Sequence, residues 1–563
     1  MFKTDSAIEP QAQPENPKAK VTRSSLSRRG LFGLAGASAA LAASPSVARG
    51  FGSGFTHSVA SGEPSAKGVL LWTRFVADQD VMLEWAISET ADMNTIVEEG
   101  VASTGASKDW CVKGYAYELE PDTWYFYQFT APDGTQSPVG RTRTLPEGPT
   151  SRFRMAVFSC ANYGFGWFNA YAHAAEANDC DLAVHLGDYI YEYGGGTYPA
   201  PDQKHPNRDF EPANEIVTLA DYRLRYATYR ADPDLQRLHQ VMPMIMVWDD
   251  HESANDSWKD GAQNHQPESE GSWEARKATA KRVYREWMPI SDEPYASYDV
   301  GDLATLFRID TRLEGREEQF SVAKVIKGET DPEVMAASLK KFAEGDYLDP
   351  ERQILGASQE EWLTAGLASS RARGATWQVL VQQVLIGKVD APRSLFGAIP
   401  DNLPEYLQRR LQASSLARAA GLPLNFDAWD GYPAARDRLF KAALEADANL
   451  VVLAGDTHNA WNFDLMQDGA PVGVEFATSS VSSPGFESYL GMVPPKVLAA
   501  AVIAENSELQ WADTAQRGYM VVDLTPQTAT SEWRFTAGIK ERSTKLAGAH
   551  SASVAAGAKV QGG

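Results

Sequence analysis

The sequence predicts an α/β domain built on a helix-covered central sheet, preceded by a small all-β domain. Three observations carry that reading. From Phe51 to Pro146 the chain runs as short strands, "GVLLWTRF", "VMLEWAIS", "KGYAYELE" and "TWYFYQFT", separated by turn signals such as Pro132-Asp133-Gly134. Strands at this spacing, within about a hundred residues, suggest an immunoglobulin-like or fibronectin-like sandwich. After "LPEGPTSR", Leu145 to Arg152, which reads as a linker, strand patterns alternate with helical ones. Several of those later strands then end abruptly in acids and histidines.

Taken in order, the first segment stands outside the fold. "SLSRRGLFGLAGASAALAASPSVARG" holds Arg28-Arg29, a weakly apolar run from Leu31 to Ala43, and small residues at Ser46 and Ala48 that suit cleavage before Arg49. Its Ser-Arg-Arg-x-x-Phe arrangement resembles a twin-arginine export signal. That implies the twin-arginine machinery as a partner and a periplasmic or secreted destination. The run is too short and Gly-broken for a stable membrane anchor. The expected order is therefore a signal over 1–48, the β-sandwich over 49–148, the α/β domain over 149–540 and a flexible tail over 541–563.

Within the α/β domain, periodicity predicts helices over 168–178, 219–230, 272–287, 360–373 and 433–446. Strands are expected over 154–159, 182–186, 244–247, 305–309, 378–386, 450–453 and 472–476. Active groups of such a domain sit beyond the carboxyl ends of its strands.

Charge narrows the function. Asp and Glu number 74 against 52 Lys and Arg, a formal charge of −22, which argues against a nucleic-acid grip. An acidic enzyme still acts on phosphates where metal ions supply local positive charge. Cys111, Cys160 and Cys180 are too few for a disulfide framework, although a Cys111–Cys180 bridge would suit an oxidising compartment.

Four strand ends carry the chemistry. In "HLGDYIYEY" a glycine turns the chain and places Asp188 at the sheet's mouth, and Tyr191 offers a hard phenolate ligand. "WDDHESAND" gathers Asp249, Asp250, His251 and Glu252, with Asn255 and Asp256 beyond. That many acids repel in a dry pocket unless cations or solvent intervene. "LAGDTHNAW" sets Asp456 and His458 two positions apart, so that an extended segment would aim both at one ion. "FRMAVFSC" ends in Cys160, either a metal thiolate or a small core residue. Arg312, in "IDTR", either clamps a phosphate or pairs with Asp310. No P-loop, no Cys-x-x-Cys pair and no Gly-x-Ser-x-Gly elbow occurs in the sequence.

Together "FSCANY", "HLGDYIYEY", "WDDHE", "IDTR", "WDGYPAAR" and "LAGDTHNAW" resemble, in order, the blocks of the calcineurin-like metallophosphoesterases and, within them, the PhoD-like alkaline phosphatases. The resemblance covers nearly the whole chain after the signal. It implies an αββα sandwich with a multinuclear centre of Fe³⁺ and Ca²⁺ between two sheets. It places Cys160, Asp188, Tyr191 and His458 around iron, and Asp188, Asp250 and Asp456 toward the neighbouring cations. Asn255 and His251 would lie near the substrate phosphate, with Arg312 a substrate-binding candidate. The wider superfamily has Asn-His-Glu and Gly-His-x-His where this chain has Asp250-His251-Glu252 and Gly455-Asp456-Thr457-His458. Exchanging nitrogen ligands for carboxylates favours Ca²⁺ over Zn²⁺.

The expected function is an exported alkaline phosphatase that hydrolyses monoesters, diesters or both of a small phosphate-ester substrate through a metal-bound hydroxide. One alternative is a phospholipase D-type diesterase acting on lipid headgroups, which a wide apolar cleft beside the metals would favour. The other is an exported Ca²⁺-binding protein without turnover.

Overall fold

The computed structural model describes residues 52–394 and 405–561. The expected export signal lies outside them. Two large sheets stack face to face. In the first, the central strands Phe153–Phe158, Leu182–His185 and Met244–Met246 run parallel, in register Met155↔Leu182 and Ala183↔Met244. In the second, Ala304–Arg308, Trp377–Val381, Leu450–Ala454 and Ala470–Ala477 are the parallel core.

The strands are mostly apolar, and their two-residue period splits them between two interiors. Met155, Val157, Leu182, Val184 and Ile245 meet Val379, Val381, Val451 and Leu453 from the opposite sheet. The alternate residues Ala156, Phe158, Ala183 and Met244 face outward, against the helices Asn169–Ala177, Leu219–Arg230, Pro233–Val241 and Trp273–Trp287. On the other side Leu450, Val452 and Leu380 pack under Ala357–Ala372 and Pro433–Glu445. The result is the expected αββα sandwich.

Helices begin where capping chemistry permits. Leu219–Arg230 starts at a reciprocal box, Thr218 accepting from Asp221 N while the Asp221 carboxylate accepts from Thr218 N. Pro233–Val241 starts with Asp232 accepting from two backbone N–H groups and proline at the first turn.

The β-sandwich is present but is not separate. Ile96–Thr104, Val81–Ser88, Trp124–Thr130 and Gly140–Arg143 form a four-stranded sheet. It packs through Leu83, Trp85, Ile87 and Tyr127 on Val59, Leu71 and Phe75 of the facing strands. Those facing strands, Gly54–Gly62, Val69–Val76 and Cys111–Ala116, continue the first large sheet through a parallel pairing of Gly62 with Met244. A side chain at Gly62 would stand 2.2 Å from Pro289 O and 2.8 Å from Met244 O, so glycine permits the junction.

Two expectations fail. The tail read as flexible forms the strand Leu546–Ala555, paired along Thr528–Thr536 as the sheet's edge. Its side chains are small and mostly exposed, and backbone hydrogen bonds supply the order. Cys111, Cys160 and Cys180 are all buried free thiols, so the Cys111–Cys180 bridge is absent. Among the described residues no helix is long and apolar enough to cross a membrane.

Candidate functional site

The polar strand ends converge. Cys160 follows Phe153–Phe158, Asp188 follows Leu182–His185, and Asp249 to Asn255 follow Met244–Met246. From the second sheet, Arg312 follows Ala304–Arg308 and Asp456 follows Leu450–Ala454. All five lie at the carboxyl ends of parallel strands, where the loops leave a common opening.

The backbone there is strained. Cys160, Asp188, Asp456 and His458 have φ of 59°, 55°, 60° and 63°, left-handed values that non-glycine residues seldom adopt. The strand Leu450–Ala454 ends before Asp456, so the extended-segment argument for Asp456 and His458 does not hold. The two side chains join different groups. Gly187 makes a close approach to backbone, because a side chain on it would stand 2.4 Å from Asp249 Cβ and 2.5 Å from Asp249 N.

Four overlapping groups of ligand atoms, each within 4.8 Å, fill the site: Cys160, Asp188 and His458; Asp188, Asp250 and His251; Asp249, Asp250 and Asp456; Asp250, Asp256 and Asp427. Every member is buried. Tyr191 completes the first group. Its hydroxyl donates to Asp188 Oδ2 at 3.0 Å and lies 3.2 Å from His458 Nε2 and 2.7 Å from Ser483 Oγ. His458 Nδ1 donates to Pro484 O at 2.8 Å, which turns Nε2 toward Tyr191 and Asp188.

Charge in this pocket is costly. Burial, then the Asp188 carboxylate, raises the Cys160 thiol well above its usual range, and the same two causes raise the Tyr191 phenol. Burial also raises Asp249 well above the usual carboxylate range, against the pull of Arg312. For His251, burial works to lower the pKa, but Asp250, Asp188 and Glu192 outweigh it and raise it well above the usual imidazole range. Its Nδ1 donates to Glu192 Oε2 at 2.6 Å.

Arg312 is the main counter-charge. Its Nε donates to Asp249 at 2.5 Å, Nη1 to Asp427 at 2.7 Å and Nη2 to Asp456 at 3.4 Å. Fully buried and directed at three carboxylates, it serves as a counter-charge here. The pairing with Asp310 survives only as Asp310 Oδ1 accepting from Arg312 N. Asn255 sits at the mouth, its Nδ2 donating to Gln263 Oε1 at 2.9 Å.

Glu252 anchors the turns. It accepts from Asp188 N at 3.1 Å, Tyr189 N at 2.5 Å and Asp249 N at 2.7 Å, and burial pushes it up to about 7.

Sequence reasoning missed Asp427, Glu192, Arg316 and Ser483 as site residues. Asp427 follows no strand; an acid between Phe426 and Trp429 was the available signal. Arg316 holds it from the far side at 2.5 Å.

The donor set fits the implied metals. A thiol, a phenol and an imidazole around one carboxylate suit iron, and carboxylate groups suit calcium.

Comparison with known proteins identifies the family. The family model for PhoD-like phosphatase matches residues 155–533, and the model for the PhoD-like phosphatase N-terminal domain matches residues 40–146. Alkaline phosphatase D of Bacillus subtilis (strain 168) is 32% identical over 509 residues, covering 85% of this chain and 77% of that protein. A solved structure of PhoD superposes with a TM-score of 0.72 at 29% identity, covering 89% of this chain and 90% of that one. The chain belongs to the PhoD-like phosphatase family and is a phosphoric ester hydrolase.

Proposed function

We propose that the converging strand ends hold a multinuclear centre of Fe³⁺ and Ca²⁺. Cys160, Asp188, Tyr191 and His458 would hold the iron, and Asp188, Asp250 and Asp456 the neighbouring cations. The single observation that carries this reading is the overlap of the ligand groups, in which Asp188 and Asp250 each belong to more than one. Bound there, the cations supply Lewis acidity that activates water and neutralises phosphoryl oxygens.

The chain's own residues do the rest. Arg312 offsets the repulsion among Asp249, Asp427 and Asp456 and fixes their orientation. Water oxygen forms a new bond to phosphorus as the ester P–O bond breaks, and protonated His251 delivers a proton to the leaving alcohol. Glu192 keeps that ring oriented. Asn255 meets the phosphate from the mouth of the site.

The reading extends to location and boundaries. The twin-arginine signal over 1–48 sends the protein to the periplasm or the medium. The sandwich over 49–148 then buttresses the catalytic domain.

The test compares hydrolysis of p-nitrophenyl phosphate and bis-p-nitrophenyl phosphate at alkaline pH, before and after chelation and Ca²⁺ replenishment. Chelator-sensitive turnover restored by Ca²⁺ is expected, and the ratio of the two rates decides between monoesterase and diesterase. Turnover untouched by exhaustive chelation would overturn the metal centre.

A further inference from the structure

Among the described residues the three sheets end in six edge strands. Five of them carry a charge: Lys113 in Cys111–Ala116, Asp299 in Ala296–Val300, Asp513 in Leu509–Asp513, Glu98 in Ile96–Thr104 and Arg141 in Gly140–Arg143. A charge on an edge hinders pairing with another chain. The sixth, Leu546–Ala555, is the longest at 10 residues, and its sequence LAGAHSASVA holds no Asp, Glu, Lys, Arg or Pro. His550 is half-buried, and burial lowers its pKa, so the ring is neutral at alkaline pH.

The outer side of this strand is open. Its inner side pairs with Thr528–Thr536, from Leu546↔Thr536 to Ala555↔Thr528, and no other described segment forms a ladder with it. Ala549, Ser551 and Ser553 are exposed. The strand is nevertheless held in place. Trp511, on the edge of the second sheet, stacks flat on His550, with ring centroids 3.9 Å apart and planes 10° apart. An edge ordered in advance loses little freedom when another strand adds to it.

We propose that Leu546–Ala555 is a self-association edge, which pairs antiparallel with the same strand of a second copy and joins two nine-stranded sheets into one. Charge selects this occupant and this place. At −22 each, two copies repel over most of their surface, and here they meet without burying a charge. Antiparallel pairing of identical strands closes about a twofold axis, which falls near the middle of the strand, at His550 or Ser551. Along most of the contact, alanine, glycine and serine of one copy then face alanine, glycine and serine of the other. Nothing bulky holds the two backbones beyond ladder distance.

The test is sedimentation equilibrium of the metal-loaded full chain, from low to high micromolar concentration and at low and high salt. A monomer–dimer equilibrium is expected, and it should tighten with salt, because screening weakens the repulsion between copies. Ser551→Lys and Ser551→Glu, at an exposed position far from the strand ends that form the site, set like charges across the axis. Each should weaken dimerisation at least about tenfold. An equimolar mixture of the two variants should recover wild-type affinity, since opposite charges then face each other. Amide exchange over 546–555 that slows as wild-type concentration rises would locate the contact without any variant.

A chain that stays monomeric throughout would overturn the second copy as occupant and leave the edge to a strand of another protein. A dimer that neither charge weakens, or whose formation leaves exchange over 546–555 unchanged, would place the contact elsewhere and overturn the proposal. Association weakened by salt would mark a charged face and do the same.

Discussion

His251 and Glu192 form a closed pair, Nδ1 to Oε2 at 2.6 Å, with the two side chains 3% and 0% exposed. Glu192 also accepts from Asn255 N at 2.8 Å and Asn264 Nδ2 at 2.9 Å. One carboxylate thus orients the proposed acid and the loop that carries Asn255. Glu192→Gln keeps the shape and removes the charge that helps hold His251 protonated. We expect kcat to fall about tenfold to a hundredfold, below the full worth of a general acid, with KM changed little. A merely structural role would instead lower the fraction folded and leave kcat per folded, metal-loaded molecule intact.

Gly187 is a second constraint on the site. Alanine there meets Asp249 Cβ and N at 2.4 and 2.5 Å and is forced into a φ of 98°. Both Asp188 and Asp249 must then shift. A displacement of about 1 Å at a reacting centre costs on the order of a hundredfold in rate. Gly187→Ala should lose at least that in kcat/KM, and activity within threefold of wild type would refute the crowding argument.

What the sequence could show depended on how local each signal was. The apolar runs before Cys160, Asp188, Asp250 and Asp456 were legible because a strand's burial and its polar stop lie within a few residues. Arg312 was visible as a cation at a strand end, but its partners come from three distant segments, and no local pattern names them. Asp427 had no strand to mark it. The edge strand Leu546–Ala555 was hidden for a different reason, since its order comes from backbone pairing and its side chains resemble a linker's. Continuity of the sandwich with the large sheet turned on Gly62, whose missing side chain matters only once Pro289 is placed beside it.

Ser483 shows the same lesson beside the proposed iron ligands. Its hydroxyl lies 2.7 Å from Tyr191 OH and 3.1 Å from Cys160 O, tying two of the proposed ligands together. Supporting hydrogen bonds of this kind are worth about 10- to 100-fold in metal affinity. Ser483→Ala should weaken iron retention by that factor, read as iron per chain against chelator concentration. Unchanged retention would remove Tyr191 from the ligand set or Ser483 from its support.

Asp427 ties together Arg312 and Arg316, at 2.7 and 2.5 Å, with its own side chain 4% exposed. Removing one partner from a buried ion pair costs about 3–5 kcal/mol, because the remaining charge stays buried. Asp427→Asn keeps the size and an acceptor oxygen, so the lower end of that range is expected. Urea unfolding measures it. A loss under about 1 kcal/mol would mean that Asp249 and Asp456 alone satisfy Arg312, in line with a weak surface-like pair.

A carboxylate far from the metals sets a pH signature for folding. Glu475 is fully buried on Ala470–Ala477, where its oxygens accept from Ile386 N and Gly387 N at 2.8 Å each. Burial nevertheless pushes it up to about 7 from an ordinary 4.5. The folded state therefore holds this proton more tightly than the unfolded chain does. Its contribution is fully present below about pH 4.5 and is lost as pH rises through 7, a change of about 3 kcal/mol. Glu475→Gln cannot lose a proton, and its amide meets one of the two N–H groups with another donor, at about 1–3 kcal/mol. The variant should thus be less stable than wild type at pH 5, with the gap closing toward pH 8. Denaturation curves at those two pH values decide it, and a constant gap would show that Glu475 does not titrate between them.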